Sequence, residues 1–180
     1  MLASLVMRIS LVGRIVPAGL TLFVSMAVCS AELDINVEPS NRAIRENVDH
    51  YIGDLGDRDE GALLRYSRIA QEQATKALQA LGYYNGEIES EVSGGENPRL
   101  TLRIDPGEPV RLRNITLRVD GPAADLSVFR VPRNTLKAGD VLNHGQYEEV
   151  KQRILNQASR YGFFDGRFKR QRLAIDPSAN

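Results

Sequence analysis

Ala80-Leu-Gly-Tyr-Tyr-Asn-Gly86 returns eighty positions later as Arg160-Tyr-Gly-Phe-Phe-Asp-Gly166. Self-similarity at a fixed spacing identifies the architectural unit of a chain before any single motif does. The same offset carries Ile35 onto Ile115, Val37 onto Leu117, Val48 onto Val128, Ala74 onto Ile154 and Ile88 onto Phe168, without a gap. One small module is therefore expected twice. In each copy the quoted stretch closes an amphipathic helix: only glycine enters the left-handed conformation without steric cost, so Gly82 and Gly162 are expected to end their helices, and the paired aromatics turn back towards a core.

Working outward from Gly82, the preceding residues Leu63, Tyr66, Ala70, Ala74, Ala77, Leu78 and Leu81 form one apolar stripe at helical spacing, with Asp59 placed to cap the helix. A shorter helix carries Ile44, Val48, Tyr51 and Ile52 behind a cap at Ser40 or Asn41. Leu33–Val37 and Glu87–Val92 alternate in polarity as half-buried strands do, and Leu100–Ile104 forms a third strand after the turn residues Gly94, Gly95, Asn97 and Pro98. Asn85-Gly86 is expected to form a tight turn into the second strand. The unit is thus α+β, in the order β-α-α-β-β.

The second copy begins after the stiff junction Asp105-Pro-Gly-Glu-Pro109. Ile115, Leu117 and Val119 read as its first strand, Asp125–Arg130 as a reduced first helix, and Tyr147, Val150, Ile154, Ala158 and Tyr161 as the stripe of its long helix. Asn143 with Gln146 resembles a capping box. A strand starts at Phe168, but the counterpart of Leu100–Ile104 would fall at positions 180 through 184, so this copy is expected to lack its last strand.

Ahead of both copies, residues 1–31 carry Arg8 and Arg14, no acidic residue, an apolar stretch and the small residues Ser30 and Ala31, the layout of a cleaved signal peptide. The alternative is an uncleaved anchor, but the uncharged run Ile15–Ala31 is 17 residues long and interrupted by Pro17 and Gly19, short of the roughly 20 residues of a spanning helix. The expected division is therefore 1–31 signal peptide, 32–108 first unit and 109–180 second, truncated unit. Cys29, the only cysteine, leaves with the signal, so the mature chain has neither disulfide nor thiol chemistry. The two arginines leave as well: 21 basic residues remain against 23 acidic ones, a net charge of −2 that argues against a general nucleic-acid binder.

Catalytic constellations are scarce. His50 and His144 stand far apart in the sequence, and no nucleophile elbow, paired-histidine metal motif or phosphate loop is present. Asp54, Asp57, Asp59 and Glu60 fail the register of a calcium loop and read as a solvated acidic turn. Arg167–Arg172 reads as an exposed basic strand rather than a phosphate-binding patch. The expectation is a non-enzymatic module with no metal, cofactor or small-molecule substrate.

The β-α-α-β-β order, the tandem repeat behind a signal, and the helix ending in Gly82-Tyr83-Tyr84 and again in Gly162-Phe163-Phe164 resemble the POTRA domain, the polypeptide-transport-associated module of outer-membrane assembly proteins. Together with Gly139-Asp-Val-Leu-Asn-His-Gly-Gln-Tyr-Glu148, these stretches are similar to the first two POTRA domains of the TamA family. The resemblance implies a periplasmic module, attached to the outer membrane where a barrel follows, facing an inner-membrane-anchored TamB-like partner and unfolded outer-membrane clients. It also implies a sheet whose second strand lies outside and whose third lies in the middle, which makes Glu87, Ile88, Glu89, Ser90, Glu91 and Val92 the candidate edge for strand addition. POTRA regions of BamA-like proteins or two-partner secretion transporters share the fold and stand as alternatives.

Overall fold

The computed structural model describes residues 30–129 and 136–176; the expected signal peptide lies outside them but for its last two residues. The first unit runs β1 (Glu32–Val37), α1 (Arg42–Ile52), α2 (Glu60–Ala80), β2 (Glu87–Ser93) and β3 (Arg99–Asp105). Its sheet has the order β1-β3-β2, with β3 parallel to β1 and antiparallel to β2. Leu33 stands opposite Leu100 and Ile35 opposite Leu102, while Ile88 stands opposite Ile104 and Val92 opposite Leu100. Because side chains alternate along a strand, this register puts every apolar residue of β3 on the face covered by the helices.

Local chemistry sets the helix limits. Asn41 Oδ1 accepts from the Ile44 amide at 3.2 Å and Asp59 Oδ1 from the Ala62 amide at 2.6 Å, so each helix starts on a side-chain cap. The stripe of α2 is buried at Leu63, Ala70, Ala74, Ala77 and Leu78, and it meets Ile44, Val48 and Ile52 of α1 beneath Leu100, Leu102 and Ile104. The alanines let α1 and the sheet approach α2 closely, and the large aliphatic residues fill the space on either side. Asn47 Nδ2 ties the two helices by donating to the Ala77 carbonyl at 2.7 Å.

Gly82 has φ of 92° and Gly162 of 84°, both left-handed. At the first helix end the Gly82 amide bonds the Gln79 carbonyl and the Tyr83 amide the Leu78 carbonyl; at the second, Gly162 bonds Ser159 and Phe163 bonds Ala158. These are the same two bonds of a Schellman cap, repeated at the offset seen in the sequence. Asn85-Gly86 departs from expectation. Gly86 does not adopt positive φ, and its smallness is required by packing instead, since a Cβ there would sit 2.8 Å from Leu78 Cδ1 and 3.1 Å from the Asp105 carbonyl.

Beyond β3 the expected elements are realised only in part. The long helix is present as α3 (His144–Arg160), capped by Asn143 Oδ1 on the Gln146 amide at 3.0 Å. The reduced helix is a 3-10 turn at Ser127–Phe129. Among the described residues no strand forms over Ile115–Val119 or over Arg167–Leu173, so the two outer strands expected of this half are not formed, and the position expected for the third lies outside the described residues. The physical reason lies in the pairing of the first unit, where β1 and β2 never touch and each is hydrogen-bonded only to β3. Outer strands pair only where such a central strand lies between them, and none of the described residues of the second half forms one. What remains among the described residues is one isolated bridge, Arg111 opposite Val141.

Candidate interaction surfaces

Two surfaces of the first unit contain the residues singled out by the sequence. Along the sheet edge, β2 is bonded to β3 on one side and to no other strand. Glu87, Glu89 and Glu91 are exposed, whereas Ile88, Ser90 and Val92 are half-buried towards α2. Glu91 is neutralised by Arg103 of β3 at 2.9 Å, a pair exposed enough to contribute little to stability. One outward group of the edge has a side-chain contact that the sequence reading did not anticipate: Gln71 Nε2 of α2 lies 3.5 Å from the Ile88 carbonyl. The sequence contains no signal for it, because Gln71 is simply a polar residue on the flank of an amphipathic helix.

The second surface is built on the repeated turn. Tyr83 packs against the core, while Tyr84 extends away from it, and its hydroxyl lies 2.6 Å from Nε2 of His144 at the start of α3. Around this contact the two halves of the chain exchange backbone bonds: the Val110 amide donates to the Gly82 carbonyl at 2.8 Å, and the Leu142 amide donates to the Val110 carbonyl at 2.9 Å. Gly82 is pressed so closely that a Cβ would run into the Leu142 carbonyl oxygen. Burial pushes the Tyr84 phenol above its ordinary value near 10, because the phenolate would lose its hydration there. A phenol hydroxyl can donate to an unprotonated imidazole nitrogen or accept from a protonated one, so the contact has a partner in either state.

At the second turn the same backbone is uncovered. A Cβ on Gly162 would meet nothing within 4 Å, and Phe164 is 82% exposed. Phe163 packs edge-to-face on Phe129, with ring centroids 5.7 Å apart. One aromatic of each pair thus faces its own unit and the other faces outward, Tyr84 onto a neighbour and Phe164 into solvent. Among the described residues no group of three or more His, Cys, Asp or Glu is placed to hold a metal ion, and no helix is long and apolar enough to cross a membrane.

The β-α-α-β-β order, the sheet order with the third strand in the middle and the glycine-capped long helix agree with one comparison: residues 34–106 match the family model for POTRA domain, TamA domain 1. The first unit is a TamA-type POTRA domain. The match spans β1 through the start of the junction and leaves out α3. POTRA domains of this kind are generally non-enzymatic scaffolds that interact with other proteins in outer-membrane assembly. In this POTRA domain β2 is one of two edge strands, β1 being the other, and the turn Gly82–Tyr84 directs an aromatic away from the domain's own core towards His144. His144, set aside as a catalytic candidate because it lies far from His50, belongs to the second of these surfaces.

Proposed function

We propose that this chain is the periplasmic, non-enzymatic interaction region of a TamA-like outer-membrane assembly factor, made of two tandem POTRA units. It takes hold of unfolded outer-membrane clients, or of a TamB-like partner, by strand addition along Glu87–Val92. The observation that carries this reading is the one-sided pairing of β2. Backbone groups on the free side of a sheet edge present donors and acceptors in the spacing of an extended chain, and pairing through them tolerates many client sequences. Since the polar groups of a strand alternate in direction, the contact of Gln71 with the Ile88 carbonyl puts Ile88, Ser90 and Val92 on the outward side.

The test compares Ser90→Pro with Ser90→Ala. Proline removes an outward amide and obstructs an added strand, whereas alanine keeps the amide. Each variant is first checked for the native fold by circular dichroism. Binding of extended peptides from an outer-membrane β-barrel protein should fall at least about tenfold with proline and stay near wild type with alanine, the difference expected for loss of one or two strand-pairing bonds. Equal binding by the two variants would exclude this edge.

A further inference from the structure

The solvent-facing side of the POTRA sheet is acidic along β2. Glu87, Glu89 and Glu91 stand there in one row, with Ile88, Ser90 and Val92 on the opposite face. Arg103 reaches Glu91 at 2.9 Å, but among the described residues neither Glu87 nor Glu89 is paired with a cation, and the residue opposite Glu87 on β3 is another carboxylate, Asp105. Like charges directly opposite on a sheet face repel, so this end of the row carries uncompensated negative charge. The domain as a whole has the same sign, since residues 32–108 hold 16 acidic residues against 8 basic ones. The Ile88 carbonyl, meanwhile, takes a long bond of 3.5 Å from the Gln71 side chain, in the place where the amide of an added strand would donate.

We infer that the β2 edge selects its partner by charge: it takes an extended segment with Lys or Arg at alternate positions and apolar residues between them, and it rejects acidic segments, a second copy of itself included. This inference deepens the strand-addition reading and rests on it. Register supplies the reason. With Ile88, Ser90 and Val92 directed outward, an antiparallel partner makes its hydrogen-bonded pairs at those three residues. Glu87, Glu89 and Glu91 then fall in the non-hydrogen-bonded pairs, where opposed side chains are closest. A basic residue opposite each glutamate neutralises the row, and an acidic one adds to it. Apolar residues at the intervening positions continue the half-buried face of Ile88 and Val92. Two β2 strands brought together in that register would oppose glutamate to glutamate, so the row that admits a cationic strand also keeps the edge from pairing with itself.

The experiment compares two labelled peptides, capped at both ends: Glu-Ile-Glu-Ser-Glu-Val-Ser, which is the β2 sequence itself, and Lys-Ile-Lys-Ser-Lys-Val-Ser. Fluorescence anisotropy measures their binding to the full mature chain, and hydrogen exchange by residue locates them. The lysine peptide should bind at least about tenfold more tightly, because three opposite-charge pairs replace three like-charge ones, and it should slow the amides of Ile88, Ser90 and Val92. Ser90→Pro should abolish that slowing, and added salt should shrink the preference. The double variant Glu87→Gln, Glu89→Gln leaves the Glu91–Arg103 pair in place; it should keep the native circular dichroism spectrum and lose most of the preference. Equal binding of both peptides at the edge would overturn charge selection and leave strand addition standing. If neither peptide slows the edge amides, both readings fall. Binding of the lysine peptide without slowing at 88–92, or a preference undiminished in the glutamine variant, would also overturn the inference, because the attraction is then to the acidic domain at large.

Discussion

The Tyr84 hydroxyl and His144 Nε2 lie 2.6 Å apart, although sixty positions separate them in the sequence. This contact, with the bonds from Val110 to Gly82 and from Leu142 to Val110, converts the turn that ends α2 into a seat for the start of α3. The same three-residue motif therefore caps a helix through its glycine, fills the core through its first aromatic and holds the following segment through its second.

The raised Tyr84 pKa has a signed consequence for stability. With the folded phenol titrating above the unfolded one, the folded state binds the proton more tightly, so stability is unaffected below the ordinary tyrosine value near 10 and falls as pH rises from there through the folded value. Chemical denaturation of the mature chain across this alkaline window should show that decline. Tyr84→Phe should flatten it at the cost of the hydrogen bond, about 0.5–1.5 kcal/mol at neutral pH. An identical alkaline decline in both proteins would exclude Tyr84 as its source.

Gly82→Ala and Gly162→Ala form a matched pair. Both place a Cβ at positive φ, which costs about 1–2 kcal/mol, but only at Gly82 does that Cβ also meet the backbone of Leu142. The expected outcome is a larger loss for Gly82→Ala, accompanied by a change in the His144 imidazole resonances that Gly162→Ala does not produce. Equal losses with unperturbed His144 signals would mean that the close approach is relieved elsewhere.

Leu102→Ala should be among the most damaging single changes in the chain. Leu102 is fully buried on the central strand, between β1 and β2 and over both helices, and truncation there is expected to lower unfolding free energy by about 2–5 kcal/mol. Leu64→Ala, on the exposed side of α2, should stay within about 0.5 kcal/mol. Urea denaturation of the two variants side by side checks the contrast.

Hydrogen exchange should divide the chain near residue 110. Slow amides are expected in β3 and the buried turns of α1 and α2, and fast ones over 114–119 and 167–175, where no strand pairing is present. α3 should be intermediate, since Ala158 is its only buried residue. Uniform protection across both halves would contradict the absence of a paired sheet in the second.

Much of the first unit was legible in its residues because the deciding forces are local. Asp59 is followed by a helix whose apolar stripe is uninterrupted, Gly82 must stop that helix, and the alternation in Glu87–Val92 and Leu100–Ile104 distinguishes strand faces without reference to any partner. The sheet order was accessible only through resemblance to a family, because parallel pairing of β1 with β3 joins residues separated by both helices, and no local pattern records it. The candidate edge followed from that order, whereas Gln71 at the Ile88 carbonyl did not, since any polar residue on that flank of α2 would satisfy the sequence pattern equally well.

The repeat, the two helix caps and the α+β order were determined by the sequence itself, since a Schellman turn needs only a few consecutive residues and a glycine able to enter positive φ. Two matters were decided by tertiary structure alone. The alternation at Ile115–Val119 and the basic run at Arg167–Leu173 carry strand patterns, yet a strand exists only when another backbone accepts its bonds, and among the described residues none pairs with them. His144 likewise looks like an isolated polar residue at a helix start until the fold brings Tyr84 against it. In both cases the outcome depends on which distant segment is adjacent in space, and nothing in a residue's own neighbourhood determines that.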